Sequence, residues 1–217
     1  MNILENKVKP SGYFNNTRED MLKYIPKKVT RTLEFGCGCG NFSALVKEKL
    51  GAEVWGVEIE TNVAKQAGSL LDTVITADAH EALSQIPDGH FDCIIMFDII
   101  EHLIDPYSLL EKLKAKLTVD GCIVLSVPNI RYYSKFIDFV VHGNWDYRDH
   151  GILDRTHLRF FTYKSIQKVI QQLKFNIVQI QGIHPTSSTT YKLLNAMFWN
   201  AFEDVKYKQF AIKIKPQ

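Results

Sequence analysis

Sulfur is scarce in this chain, with four cysteines among 217 residues. Cys37 and Cys39 share a glycine-rich stretch, while Cys93 and Cys122 lie inside separate apolar runs. Those spacings form neither a disulfide framework nor a zinc pattern, so four reduced thiols are expected. Long hydrophobic runs are missing as well. No stretch of about 18 apolar residues occurs, and the first residues carry no apolar signal core, which argues against membrane insertion and for a cytoplasmic protein. Charge of one sign is not in excess either: 26 basic and 24 acidic residues leave a formal net charge of +2. That balance supplies no field for nucleic acid or an anionic surface. Internal repeats and low-complexity tracts are also missing, and the partner left by these exclusions is a small molecule.

What is present is a 46% hydrophobic chain long enough to bury one sizeable core and too short to need two. Residues 1–217 are therefore read as a single domain. Short runs rich in Val, Ile, Phe or Leu at 32–35, 53–58, 73–76, 91–97 and 122–127 read as strands. Segments 42–50, 62–71 and 107–117 repeat apolar residues every three or four positions and read as helices, the last entered through Asp105-Pro106. Alternation of this kind predicts an α/β fold with right-handed crossovers, a parallel sheet and ligands at the carboxyl ends of its strands. From 129 to about 160 the rhythm changes to a mixed, aromatic stretch with Tyr132, Phe136, Phe139, Trp145 and Tyr147. It reads as an inserted lid or acceptor region. A helix near 165–173 and strands near 176–181 and 209–214 resume the pattern, separated by a connection whose residues 184–202 suit either a packed helix or a dimer surface.

The first chemical signal is the strand-to-helix passage Glu34-Phe35-Gly36-Cys37-Gly38-Cys39-Gly40-Asn41. Alternate glycines permit a tight turn and leave backbone amides open to a ligand at a helix N-terminus. About twenty residues on, the second strand ends at Glu58, where a carboxylate accepts hydrogen bonds from both hydroxyls of a ribose. Dinucleotide binding expects glycine at the first, third and sixth positions, but the sixth here is Asn41 and the third glycine is Gly40. The Lys-Ser/Thr pair of a phosphate-binding loop is missing too. The loop suits a nucleoside with an amino-acid tail better than a pyrophosphate.

Residues 33–40 resemble motif I of class I methyltransferases, and Val54-Trp55-Gly56-Val57-Glu58 resembles their ribose-binding strand end. Asp78-Ala79 resembles the adenine-binding segment after the third strand, and 91–98 resembles the motif IV strand. Asp98-Ile99-Ile100-Glu101-His102-Leu103 resembles the D-x-x-E-H signature of the ubiquinone-biosynthesis O-methyltransferases. Residues 13–18 and 151–162 resemble a bacterial subgroup that accompanies glycosyltransferases in surface-polysaccharide pathways. The resemblance implies a Rossmann-like, mostly parallel seven-stranded sheet with helices on both faces and an antiparallel last strand. It implies S-adenosylmethionine as cofactor, with S-adenosylhomocysteine as product. The expected cofactor site comprises Tyr13, Arg18, Glu34, Gly36, Cys37, Gly38, Gly40, Glu58, Ile59, Asp78, Ala79, Phe97 and Asp98. Residues 1–30 are expected to cover it, with Arg18 meeting the carboxylate of the methionine tail.

Glu34 is a carboxylate in an apolar strand, stable there when it accepts hydrogen bonds from the loop amides or the cofactor ammonium. Asp98 is expected beside the methionine end or as a cap for the following turn. His157, His102 and Asp98 are the candidate catalytic residues, the two histidines as bases because an imidazole can exchange a proton near neutral pH. Glu101 and His102 alone do not define a metal site, and none is expected. The function implied is methylation of a small-molecule acceptor, with O-methylation of a saccharide or related metabolite as the leading form. The alternative is a cofactor-binding regulatory module without catalysis. Monomer and homodimer both stay open.

Overall fold

The structure, a computed structural model, describes residues 17–217. Tyr13 and the first half of the expected covering segment lie outside the described residues. Seven strands form one sheet: β1 (Arg31–Phe35), β2 (Glu53–Glu58), β3 (Thr73–Thr76), β4 (Phe91–Phe97), β5 (Leu117–Pro128), β6 (Phe175–Pro185) and β7 (Tyr207–Pro216), in the order β3-β2-β1-β4-β5-β7-β6. The first five pair in parallel, and β7 runs antiparallel to both β5 and β6. This is the expected doubly wound sheet with its antiparallel last strand. Chain order reverses between β1 and β4, so their carboxyl ends open a crevice at the switch point.

The central strands β1, β4 and most of β5 are buried on both sides, which is why they read as continuous apolar runs. Alternate residues serve opposite faces: Ile94 and Met96 of β4, with Ile123 and Leu125 of β5, enter one core cluster. Cys93 and Ile95, with Cys122 and Val124, enter the other. All four cysteines are free and buried.

Among the described residues six α-helices accompany the sheet: α1 (Asn41–Leu50), α2 (Thr61–Ala67), α3 (Pro106–Leu113), α4 (Tyr133–Val140), α5 (Tyr163–Gln172) and α6 (Thr189–Met197). The amide of Ser108 donates to Asp105 at the start of α3, one residue behind Pro106. Thr162 and Ser165 cap α5 reciprocally. Two helices end earlier than their apolar spacing predicts. After α2 the chain turns at Gly68, and after α3 a short 3-10 turn at Lys114–Lys116 passes directly into β5. Strand β6 runs beyond its apolar stretch through Gly182, His184 and Pro185, because the ladder to β7 continues there.

The insertion after β5 contains α4, whose aromatic face meets the C-terminal connection. Tyr133 packs on Tyr191 and Phe136 on Phe202. Its two ends are tied at the base. Asn129 bridges to Phe161, the amide of Ile130 donates to Phe161 O, and the buried Asn129 amide donates to Asp204 O and Tyr207 O. Helix α6 buries Tyr191 and Asn195 and leaves Leu193 and Met197 exposed, with Phe198 and Trp199 exposed just beyond it, so the 184–202 connection is packed on one side only. No helix among the described residues is long and apolar enough to cross a membrane.

Candidate active site

The glycine loop turns at the carboxyl end of β1. Gly36, at φ 65°, and Gly40, at φ 84°, take the left-handed backbone that side chains disfavour. A methyl group on Gly36 would overlap the Cδ1 of Ile99. Gly36→Ala is expected to cost about 1–2 kcal/mol from the backbone alone, read as a lowered midpoint in chemical denaturation. An unchanged midpoint would show that the turn is not held in this conformation.

Glu58 locks the loop in place. One of its oxygens accepts the Gly38 amide at 3.0 Å and the other accepts the Glu60 amide at 3.0 Å. The carboxylate is 5% exposed, and each oxygen keeps a second lone pair for a ligand. Glu34 is equally buried but is held differently from expectation. Its partner is the hydroxyl of Ser43 in the first turn of α1, at 2.6 Å, rather than a glycine-loop amide, because the Gly38 amide goes to Glu58. Burial pushes the Glu34 carboxyl up to about 7, against the opposing Ser43 hydrogen bond. Burial likewise raises the Cys37 thiol, keeping it neutral and poorly nucleophilic.

These groups line a cavity of about 810 Å³ at the switch point. Arg18, Glu34, Gly36, Cys37, Gly38, Glu58, Ile59, Asp78, Ala79, Phe97, Asp98 and His102 all reach it. Gly40 does not: it sits behind the loop at the start of α1, where a Cβ would press on Ala67 and Leu71 of the neighbouring segment. Its glycine serves helix packing.

Asp98 follows β4 at φ 54°, a left-handed conformation that aspartate tolerates better than most residues. Its carboxylate is no helix cap. It pairs with Arg18 Nη1 at 2.6 Å, accepts the Ser126 hydroxyl at 2.8 Å, and takes the Gln209 amide on both oxygens at 2.9 and 3.0 Å. Arg18 also stacks over Phe97, 5.3 Å from the ring centre. In this state, therefore, the arginine expected at a ligand carboxylate is engaged by a carboxylate of the protein.

A second, smaller pocket of about 150 Å³ adjoins the first, sharing Asp98 and His102 with it. His157 lines only this inner pocket. The two imidazoles meet edge to face at 4.6 Å, so His102 fronts the large cavity and His157 stands behind it. Glu101 is 1% exposed, and among the described residues neither of its carboxyl oxygens has a hydrogen-bond partner. Burial and then the charge of Asp98 raise its carboxyl well above the usual range. One donor atom each from Glu101, His102 and His157 lies within 4.8 Å of the others, a spacing that could hold a metal ion.

The stretch 151–162 owes its specificity to how it is pinned. The amides of Leu158 and Arg159 donate to Glu101 O, the guanidinium of Arg159 holds the carbonyls of Leu103 and Ile104, and Thr156 reaches both His102 and Asp154. Five participants escaped sequence reasoning: Ser43, Ser126, Thr156, Gln209 and, as a buried acid, Glu101. Thr156 and Glu101 carried a signal, each lying inside a recognised motif next to a histidine.

The methyltransferase-domain family model matches residues 11–180 of this chain. The ubiquinone biosynthesis O-methyltransferase of Psychrobacter cryohalolentis is 29% identical over 220 residues, covering 95% of this chain and 80% of that protein. Its counterpart in Burkholderia ambifaria is 25% identical over 162 residues, covering 71% and 69%. Among solved structures, a SAM-dependent methyltransferase from Archaeoglobus fulgidus superposes with TM-score 0.69 at 25% identity, covering 94% of this chain and 96% of that one. A possible histamine N-methyltransferase from Thermotoga maritima shares the fold at 17% identity, with TM-score 0.63 and coverage of 91% and 87%. The sheet order, the glycine loop and a family match spanning most of the chain lead to one conclusion: this protein belongs to the methyltransferase-domain family and is an S-adenosylmethionine-dependent methyltransferase.

Proposed function

We propose that the protein O-methylates a hydroxylated small molecule, a saccharide or related metabolite, at the boundary between the two pockets. The observation that carries the reading is His102, whose ring lines both the large cavity and the polar pocket behind it. When bound, S-adenosylmethionine supplies an electrophilic methyl group on a sulfonium and leaves as S-adenosylhomocysteine. Glu58 would accept the ribose hydroxyls through its remaining lone pairs, Asp78 with Ile59 and Ala79 would border the adenine, and Glu34 would face the ammonium. The protein's work is then mainly alignment, with a base to take the acceptor's proton. Asp154, Lys208 and Gln209 in the inner pocket offer an anionic, a cationic and an amide partner, a set suited to an acceptor rich in hydroxyls. O-methylation by the ubiquinone-biosynthesis relatives supports oxygen as the target.

The test is calorimetric titration with S-adenosylmethionine, S-adenosylhomocysteine and NAD, followed by an acceptor panel of saccharides, catechols and amines read by mass and by the site of the new methyl group. Both sulfur nucleosides should bind and NAD should not. Methyl groups arriving only on nitrogen would defeat the O-methylation reading. In the same titration Glu58→Ala should weaken S-adenosylmethionine by about 1–3 kcal/mol, roughly 5- to 150-fold. Unchanged affinity in a folded variant would remove Glu58 from the ribose.

A further inference from the structure

We infer that Asp154 and Thr156 are positioning residues for His102, deciding which imidazole nitrogen holds a proton and which one receives it. The inference deepens the proposed function and rests on its reading of His102 as the acceptor's base. The Thr156 hydroxyl oxygen lies 2.7 Å from Asp154 Oδ1 and 3.0 Å from His102 Nδ1. A hydroxyl owns one hydrogen. Asp154 Oδ1 already accepts the backbone amide of Thr156 at 2.9 Å, so it is an acceptor, and the hydroxyl hydrogen goes to it. Toward His102 the same oxygen has only lone pairs to offer. A contact of 3.0 Å then requires the proton to reside on Nδ1, and the neutral ring carries its basic lone pair on Nε2.

Asp154 is well placed for this duty. It is 2% exposed, and its amide is held by Gly151 O at 3.0 Å. The sequence Asp154, Thr156, His102 is a buried carboxylate acting on a histidine through one hydroxyl. It fixes the ring's orientation and tautomer and favours the imidazolium once the proton arrives. His157 has the same tautomer for a different reason: its Nδ1 lies 3.0 Å from Ile152 O, a carbonyl that only accepts. That contact brings no charge, and His157 does not reach the large cavity. Of the two imidazoles, His102 alone combines this hydroxyl-linked carboxylate with access to both pockets. Among the described residues, the other charged or titratable groups lining the two pockets beside it include Arg18 from the segment before β1, Asp98 and Glu101 from its own loop, His157 from the insertion and Lys208 from β7.

The transfer step balances on these groups. The acceptor oxygen forms its new bond to the methyl carbon, and the pair of the broken carbon–sulfur bond stays on sulfur. The acceptor's proton passes to His102 Nε2, leaving an imidazolium whose Nδ1–H still points at Thr156.

The tautomer is read directly by two-bond proton–nitrogen correlation on protein labelled with ¹⁵N-histidine, at a pH where the ring is neutral and without any acceptor. The His102 signals are those that vanish in His102→Gln. Wild-type His102 should show the proton on Nδ1. Thr156→Val should shift it toward the Nε2–H form that a free imidazole favours, and Thr156→Ser should restore the original pattern. A wild-type ring protonated on Nε2 overturns the proposal, as does a Thr156→Val ring that stays protonated on Nδ1. Should Thr156→Val fail to fold, the wild-type spectrum decides alone. An Nδ1 proton together with undiminished methyl transfer by His102→Ala would leave the relay standing while removing His102 as the base.

Discussion

Between about pH 4.5 and about pH 7 the cofactor-free protein is expected to lose about 3 kcal/mol of unfolding free energy to Glu34 alone. In the unfolded chain this carboxyl titrates near 4.5, and in the folded one burial raises it to about 7. Between those values the folded state holds the extra proton. The stabilising effect is therefore complete below the unfolded pKa and is lost as pH rises through the folded one. Urea unfolding at pH 5, 6, 7 and 8 measures the slope. Glu34→Gln, which keeps the shape without the ionisation, should flatten it; parallel curves for wild type and variant would remove Glu34 as the source. The cofactor's ammonium would reverse the balance by favouring the carboxylate. Affinity for S-adenosylmethionine should then climb with pH up to about 7, with proton release visible as buffer-dependent binding heat.

His102→Ala should lower kcat by a factor of about 10² to 10⁴, the usual worth of a positioned general base, while leaving affinity for the cofactor within a few-fold. Its ring lines both pockets, whereas His157 lines only the inner one. His157→Ala should accordingly cost less in kcat. The comparison uses methyl transfer to whichever acceptor the panel yields. A kcat for His102→Ala within three-fold of wild type, or a larger loss from His157→Ala, would exchange the roles of the two imidazoles.

The parallel half of this fold was legible because its central strands β1, β4 and most of β5 are buried on both faces and its helices carry apolar stripes. Residues 53–58, 73–76 and 91–97 match their strands end for end. Legibility failed where tertiary pairing overrode local pattern. Nothing in Gly182 and Pro185 suggests a strand, yet β7 holds them in register. Helix α4 went unread because its aromatic face meets another loop-borne segment instead of the sheet, so no alternation with strands announced it. At the site, groups adjacent in sequence to a glycine turn or a strand end were visible. Of those delivered from far along the chain, Arg18 and His157 were visible only through the motifs that carry them, and Gln209, 111 residues from Asp98, gave no signal. Asp98 itself was expected at the sheet edge, but its three partners come from three separate segments, Arg18 ahead of β1, Ser126 of β5 and Gln209 of β7.

The tie between Asn129 and Phe161 has an evolutionary consequence. Because the insertion is closed at its base, its interior resembles a loop whose ends are already joined, and the entropy of closure grows only with the logarithm of its length. Doubling such a loop costs about 0.6 kcal/mol. Residues between that tie and the pinned 154–161 stretch are therefore open to lengthening, shortening or replacement at little cost to the sheet below. The smaller pocket takes Gly151 and Ile152 from this insertion, so its wall is free to change while Glu58 and the glycine loop stay where the strands put them.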